Sequence, residues 1–352
     1  MALYAILKAM GITAGDEVVL PGFTCVVVPN AILYLGAKPI YVDIAPASYN
    51  IDPNKIEEKI TQRTRAIIAQ HTFGIPADMD RIVDISRKYN LLIVEDSCHA
   101  IGSTYKHQEV GTFGDAAFFS SQWSKPVTTG LGGWALINND QVLKNMEKIY
   151  AEFIEPSQKE ELMLKLQYRI YSGLFRPSLF WAIQETYRWL SRAGLMIGSS
   201  SNEELECKMP VDFSKRMSGW HKELLERKYA GIEKVIAHRK WMASLYERMF
   251  KEREIKTIDL SAHFDPVFLR YPILVKNKEK TLAEARKRKI EIGDWFLSPV
   301  HPNLAGWEKV GYQEGMCPTA EKICREIINL PTHERIHAKE VEAGIELLAT
   351  AS

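Results

Sequence analysis

A lysine, an aspartate and a serine fall within one short stretch of this chain, each at the edge of an apolar run. Asp96 follows Leu91-Leu-Ile-Val-Glu95, Ser120 closes Ala116-Ala-Phe-Phe119, and Lys125 stands between Trp123 and the glycine cluster Gly130-Leu131-Gly132-Gly133. An amine that attacks a carbonyl, a carboxylate that keeps a ring nitrogen protonated, and donors around a phosphate are what Schiff-base chemistry on pyridoxal phosphate requires. An acid at a buried strand end is costly unless something offsets its charge, and a protonated pyridine would do so. Taken singly, the plainer uses are the commoner ones. Asp96 can cap a helix, Lys125 can be a solvated surface residue, and Ser120 can end a strand with a hydrogen bond. The order of the set, and a lysine placed where burial would lower its pKa toward a nucleophilic amine, favour the chemical reading.

Such a set needs a sheet to present it. Short β-rich runs recur at Glu17–Leu20, Pro39–Asp43, Ala66–Ala69, Leu91–Glu95, Ala116–Ser120 and Gly133–Ile137, most of them continuously apolar, as in a sheet covered on both faces. Helical patterns over 24–35, 53–60 and 78–89 have the length of crossovers between parallel strands. The fold class is therefore α/β, with a mostly parallel sheet covered by helices, and His71, Asp96 and Ser120 fall just past strand ends, where open α/β sheets bind ligands. The opening Met1–Met10 reads as a packing helix, because it lacks a basic leader and a small-residue cleavage site.

From about 141 to 206 the pattern turns to long helices, and 150–205 reads as an insertion. The aromatic residues Phe175, Phe180, Trp181, Tyr187 and Trp189 give it a face expected to pack on the core or on a partner. Residues 213–250 predict one long helix or two, with Gly219 and Gly231 weakening continuity. Beyond them, a strand at Val267–Leu274, a helix over 278–288, a strand at Ile290–Ile292 and a final helix over 338–349 predict a smaller α+β unit. The expected division is a large domain at 1–235, insertion included, and a small C-terminal domain at 236–352.

Composition narrows the partners. The 352 residues are 46% hydrophobic and 25% charged, and 45 Lys and Arg against 44 Asp and Glu leave a net charge of +1, with no electrostatic footprint for nucleic acid. The apolar stretch 172–198 is interrupted by Arg176, Glu185, Arg188 and Arg192 and is no membrane span. Five unpaired-looking cysteines, without metal-ligand spacing, predict a reducing cytoplasm and no metal site.

Several longer motifs add specificity: Gly15-Asp-Glu-Val-Val-Leu-Pro-Gly-Phe-Thr24, Asn30–Ala37, Tyr49–Asp52, Pro76–Asp80, Glu95-Asp96, Gly114–Ala117, Ser120–Lys125, Arg216–Ser218 and Pro299–His301. Together they resemble the DegT/DnrJ/StrS family of pyridoxal-phosphate-dependent sugar aminotransferases, of transferase fold type I. The resemblance implies that Lys125 carries the cofactor as a Schiff base and later shuttles a proton, and that Asp96 pairs with the pyridinium nitrogen. It places His99 near the ring, Ser120 on the phosphate, and His301 on the substrate side. For His99 a core histidine is the plainer alternative. His71, in His71-Thr-Phe-Gly74, is expected to shape the site more than to catalyse.

Other positions depart from the family pattern. The aromatic residue that stacks on the ring aligns with Cys25, the asparagine that a neighbouring subunit sends to the phosphate aligns with Ser214, and a substrate-side His-Tyr pair aligns with Trp295-Phe296. A Gly-Thr phosphate motif would precede Met1, so either the start is truncated or the phosphate cup is incomplete. The implied activity is transfer of an amino group, with glutamate as the expected donor, to a keto-sugar nucleotide by a cytoplasmic homodimer whose active site lies at the subunit interface. Two rivals remain: a catalytically impaired paralogue with a structural or regulatory role, favoured by Cys25, and a sugar dehydratase, disfavoured by the retained lysine.

Overall fold

The computed structural model describes residues 1–192, 202–302 and 306–351. Its chain opens with helix α1 (Ala2–Ala9), which buries Leu3, Ile6 and Leu7. Strands β1 (Glu17–Pro21), β2 (Lys38–Val42), β3 (Thr64–Gln70), β4 (Leu92–Asp96), β5 (Ala116–Ser120) and β6 (Gly133–Ile137) form one sheet in the order 2-1-3-4-5-6. All neighbours run parallel except β5 and β6, where Ser120 faces Gly133 in an antiparallel edge pair. The continuously apolar runs are explained by cover on both faces: every residue of β1 is buried.

Helix α2 (Val27–Leu33) is shorter than its pattern suggests, because Thr24 and Cys25 are drawn into a two-residue parallel pairing with Val300 and His301. Pro29 sits in the first turn of α2, where a missing N–H leaves no bond unmade. The helix expected at 53–60 is replaced by two 3₁₀ turns, Pro53–Lys55 and Glu57–Lys59. The buried residues there, Pro53 and Ile56, are three apart and eclipse in a 3₁₀ turn, while of the other side chains only Ile60 packs, half-buried, against the core, too little for a longer amphipathic helix. Helix α3 (Met79–Tyr89) does form, burying Met79, Ile82 and Ile85 and ending at a left-handed Asn90.

The region expected to turn helical holds α4 (Asp140–Ala151), α5 (Gln158–Leu174) and α6 (Phe180–Arg192), with a reciprocal capping box between Ser157 and Glu160 opening α5. It docks by specific bonds. The Trp181 indole N–H donates to the Ile290 carbonyl at 2.8 Å, and Arg335 donates to the carbonyls of Phe175 and Ser172 at 2.8 and 3.0 Å, satisfying the open end of α5. Phe180 and Trp181 are buried, Phe175 packs partly buried against the core, and Tyr187 is half-buried. Trp189 departs from the expectation: it is 64% exposed, because the face of α6 that carries it turns away from the core. Residues 198–201 of the expected loop lie outside the described residues, and Asn202–Leu205 forms one helical turn.

Two helices, α7 (Gly219–Tyr229) and α8 (Ile232–Glu252), take the place of a single long one, with the break at Ala230-Gly231 and a Ser218 cap before Gly219. Then come β7 (Arg270–Leu274), α9 (Lys278–Lys287), α10 (Pro318–Glu326), β8 (Ile327–Pro331) and α11 (Ala338–Ala351), with β7 and β8 antiparallel. Ile290–Ile292 is not a strand, since only Gly293 bridges to Asn329. One apolar cluster runs from Leu3 and Ile6 through Phe180 and Tyr246 to Leu348, so residues from both expected domains share a core.

Candidate active site

Strands β3, β4 and β5 end together, with Gln70 beside Asp96 and Asp96 beside Phe118. Successive strand residues face opposite sides of a sheet, so Glu95 and Asp96 serve different surroundings. Glu95 is fully buried and accepts from the N–H groups of Gly111, Phe113 and Gly114 at 2.6–2.7 Å and from His71 Nε2 at 3.1 Å. His71 Nδ1 accepts from the Ala77 N–H at 3.0 Å, which fixes the hydrogen on Nε2. Burial would raise the Glu95 pKa, but the His71 bond and the backbone donors outweigh it and hold the carboxyl below its usual range. His71 thus shapes the strand end, and its own N–H reaches the Asp96 carbonyl at 3.1 Å.

The turn after His71 is as demanding. Phe73 and Gly74 both have positive φ, and a Cβ on Gly74 would stand 2.2 Å from the Val267 carbonyl oxygen. Only glycine allows that approach, which brings Phe73 and the segment before β7 together.

Asp96 is 7% exposed, and its Oδ1 accepts from the Cys98 N–H at 3.1 Å. Burial pushes its pKa up, and the nearby Lys125 charge opposes that shift without cancelling it. Lys125 rides at the far end of a closed loop. Ser121 continues the β5–β6 ladder through the Gly132 carbonyl, its hydroxyl meets Thr129 at 2.8 Å, and the Lys125 N–H donates to the Gln122 carbonyl. The loop's glycines are needed for closeness: a Cβ on Gly130 would strike the Trp123 ring at 2.7 Å. Burial holds the Lys125 ammonium below its usual range, with Asp96 pulling the other way and Arg270 reinforcing the shift. Ser120 Oγ accepts from the Gln122 N–H at 3.3 Å and is half-buried at the same strand end.

Trp295 organises the opposite wall. Lys125 Nζ stands over its ring, 5.4 Å from the centroid, and the His99 imidazole stacks on it at 5.5 Å with planes 14° apart. His99 Nδ1 accepts from the Phe73 N–H at 3.3 Å. Burial, then the Lys125 charge, pushes the His99 pKa well down, so a neutral ring with its hydrogen on Nε2 faces the site. His301 lies edge-on to Trp295 at 6.2 Å, and its Nδ1 accepts from the Leu297 N–H at 3.2 Å. The short parallel pairing sets His301 beside Cys25, whose thiol burial pushes up in pKa.

Phe296 and Ser214 take different positions. Phe296 is 3% exposed, with its ring 4.3 Å from Phe23 and 5.7 Å from Phe73 on the core side and 5.6 Å from His301 on the site side. Ser214 lies where the chain pairs with the end of the α4 segment, its carbonyl accepting from the Ile154 N–H at 3.0 Å. Among the described residues no hydrogen bond joins Ser214 to Asp96, Lys125 or Ser120 of the same chain.

The motif reading missed Arg270 and Tyr171. Arg270 stands over the Trp295 ring at 5.6 Å, and Tyr171, from α5, packs its ring 4.9 Å from that of Trp123, two residues before Lys125. A lone charge within Val267-Phe-Leu-Arg-Tyr-Pro-Ile-Leu274 was the available signal for Arg270. No local pattern marks Tyr171.

A lysine on a closed loop, a buried carboxylate at a parallel strand end and a serine at the next one match a known family along nearly the whole chain. The pattern of the DegT/DnrJ/EryC1/StrS aminotransferase family covers residues 1–171 and 181–348. The chain belongs to that family. It is 40% identical to GDP-perosamine synthase of Caulobacter vibrioides over 158 residues, which is 45% of this chain and 43% of that protein. It is 26% identical over 341 residues to UDP-2-acetamido-2-deoxy-3-oxo-D-glucuronate aminotransferase of Pseudomonas aeruginosa, covering 97% of this chain and 81% of that one. In fold it is similar to NtdA of Bacillus subtilis, solved with bound PMP, at a TM-score of 0.71 and 21% identity, covering 99% and 71% of the two chains.

DegT/DnrJ/EryC1/StrS aminotransferases depend on pyridoxal phosphate, and the residues of this member fit that cofactor. Asp96 is a buried carboxylate short of a countercharge, which a protonated pyridine nitrogen provides. The neighbouring Ser97 hydroxyl is buried with no hydrogen-bond partner. Lys125 supplies an amine already biased toward its neutral form. Among the described residues no group of three metal-ligating side chains converges, and no helix is long and apolar enough to cross a membrane.

Proposed function

We propose that this protein transfers an amino group from glutamate or a similar amino acid to the keto carbon of a nucleotide sugar, in amino-sugar biosynthesis. It acts as a cytoplasmic homodimer. The observation that carries the reading is the buried Asp96 facing Lys125 across electrostatic reach, at the carboxyl ends of parallel strands. Pyridoxal phosphate, when bound, supplies the electron sink for the carbon that loses its proton.

The chain's own residues do the rest. Lys125 Nζ removes the proton from the donor's α-carbon and redelivers it, a task suited to an amine whose pKa burial has lowered. Asp96 holds the proton on the ring nitrogen. His99, whose Nδ1 is held by the Phe73 N–H, would offer its Nε2–H to the cofactor without adding charge, and Ser120 Oγ would help hold the phosphate. Trp295 and His301 wall the substrate side, and Cys25 lies beside them where a larger ring would leave less room. Phe296 backs this wall from within the core. Ser214, away from its own chain's Lys125, serves the phosphate of a neighbouring copy.

The test is a two-step absorption experiment on the purified chain loaded with cofactor. Glutamate should bleach the visible band, and a keto-sugar nucleotide should restore it. A band that no amino acid bleaches would leave the impaired-paralogue reading, which Cys25 favours.

A further inference from the structure

The residues assigned so far leave one charge at this site without a task. Arg270 opens β7 with its side chain 12% exposed, and its guanidinium carbon lies 5.6 Å from the centroid of the Trp295 indole. The same ring carries Lys125 Nζ at 5.4 Å. Arg270 Nη1 is buried and has no hydrogen-bond partner; Glu291 approaches it at 3.8 Å, too far for a hydrogen bond. Glu291 is itself occupied, since both its oxygens lie 3.1 Å from His333 Nε2. His333 Nδ1 accepts from the Arg335 N–H, so Nε2 carries the hydrogen for Glu291.

Glu291 thus steadies the guanidinium by charge without hydrogen-bonding it, and Nη1 keeps an unused N–H. Gly293 keeps the space open, because a Cβ there would lie 3.0 Å from Nη1. Asn329 donates to the Trp295 carbonyl at 2.6 Å and fixes the backbone that carries the indole. A permanently charged, planar fork with an unused N–H, on the ring that the Schiff-base lysine overlies, matches a carboxylate better than any neutral group.

We propose that Arg270 binds the α-carboxylate of the amino donor. The inference rests on the transaminase reading and goes beyond it by naming the residue that recognises the donor. Distance selects this carboxylate: it is bonded to the very carbon that must come to Lys125, whereas the diphosphate of a nucleotide sugar is several bonds from any keto carbon of the ring. A carboxylate on the acceptor, as in a uronate, shares the chemistry, and the experiment separates the two.

The experiment uses the full chain loaded with cofactor, as wild type, Arg270→Gln and Arg270→Lys. Glutarate, which has carboxylates but no amino group to react, is titrated by calorimetry; glutamate and its α-amide, isoglutamine, are compared in the bleaching step. Loss of the charge should weaken glutarate binding and raise KM for glutamate by about tenfold or more, with lysine recovering part of the loss. Isoglutamine, lacking the α-carboxylate, should be used equally poorly by wild type and Arg270→Gln. Equal loss toward both donors would mean a structural role and overturn the proposal. So would unchanged glutarate binding, or a defect confined to the return step with a keto-uronate. If wild type bleaches with no donor while glutarate binding still depends on Arg270, the transaminase reading fails and carboxylate recognition by Arg270 stands.

Discussion

His71 Nε2 and Glu95 Oε2 meet at 3.1 Å, and both side chains are completely shut off from solvent. Glu95 thereby gathers an imidazole and three backbone N–H groups from a loop far along the chain, one residue before the candidate catalytic Asp96. Glu95→Gln would turn an amide NH2 toward donors that need an acceptor. A loss of about 2–4 kcal/mol in unfolding free energy is expected, measured by urea denaturation. The folded Glu95 pKa lies below the unfolded value, so its contribution is full above the unfolded carboxylate range and fades as pH falls through the folded value. Wild type should lose stability in acid more steeply than the variant.

Asp96 has the opposite sign. Burial raises its pKa in the fold, so the folded state holds the proton longer, and stability falls as pH rises from the unfolded value through the folded one. Asp96→Asn can keep the bond from the Cys98 N–H while removing a buried charge. At pH 8 the cofactor-free variant should therefore be more stable than wild type by about 1 kcal/mol, while its pyridoxal phosphate affinity falls. Thermal melts paired with cofactor titration check both halves, and an apo variant less stable than wild type would contradict the account.

Lys125→Ala should abolish the visible absorption of the cofactor-loaded chain and lower turnover by at least about a thousandfold, since both the covalent anchor and the proton carrier disappear. A band that survives in the variant would refute the role of Lys125.

Helix α6 should answer differently at its two tryptophans. Trp181 is 9% exposed, bonds to the Ile290 carbonyl and lies under Arg286, with the guanidinium 5.0 Å from its ring. Trp181→Ala is expected to cost about 3–5 kcal/mol, whereas exposed Trp189→Ala should stay within about 0.5 kcal/mol. Hydrogen exchange adds a second measurement: backbone amides near Leu164 and Gln167 of α5 should be protected, as should those near Phe180 and Trp181, and free exchange there would mean that α5 and α6 do not dock.

The sheet was legible because its inner strands are buried on both faces and read as unbroken apolar runs, and because Asp96 and Ser120 end two of its strands. Lys125 was legible from its setting among a tryptophan and glycines. The errors share a cause: they lie where distant parts of the chain decide. Thr24 and Cys25 leave their helix for partners at Val300 and His301, Ile290–Ile292 finds no ladder to join, and the segment at 53–60 has too little to bury. Arg270 and Tyr171 escaped for the same reason, since what gives them meaning is Trp295 and Trp123, on other elements. Phe296 shows the converse: a motif position next to Trp295 whose ring is taken up by Phe23 and Phe73 in the core, reaching the site only through its edge contact with His301.

The two-residue ladder between Thr24–Cys25 and Val300–His301 also sets a timetable. A ribosome makes the first partner well before the second, at roughly 5–20 residues per second. For tens of seconds the nascent chain carries Cys25 and the open ends of the sheet without the segment that closes them. The site around Lys125 is therefore closed only after Val300 and His301 have been made, and until then its open edge is a surface for chaperones to hold.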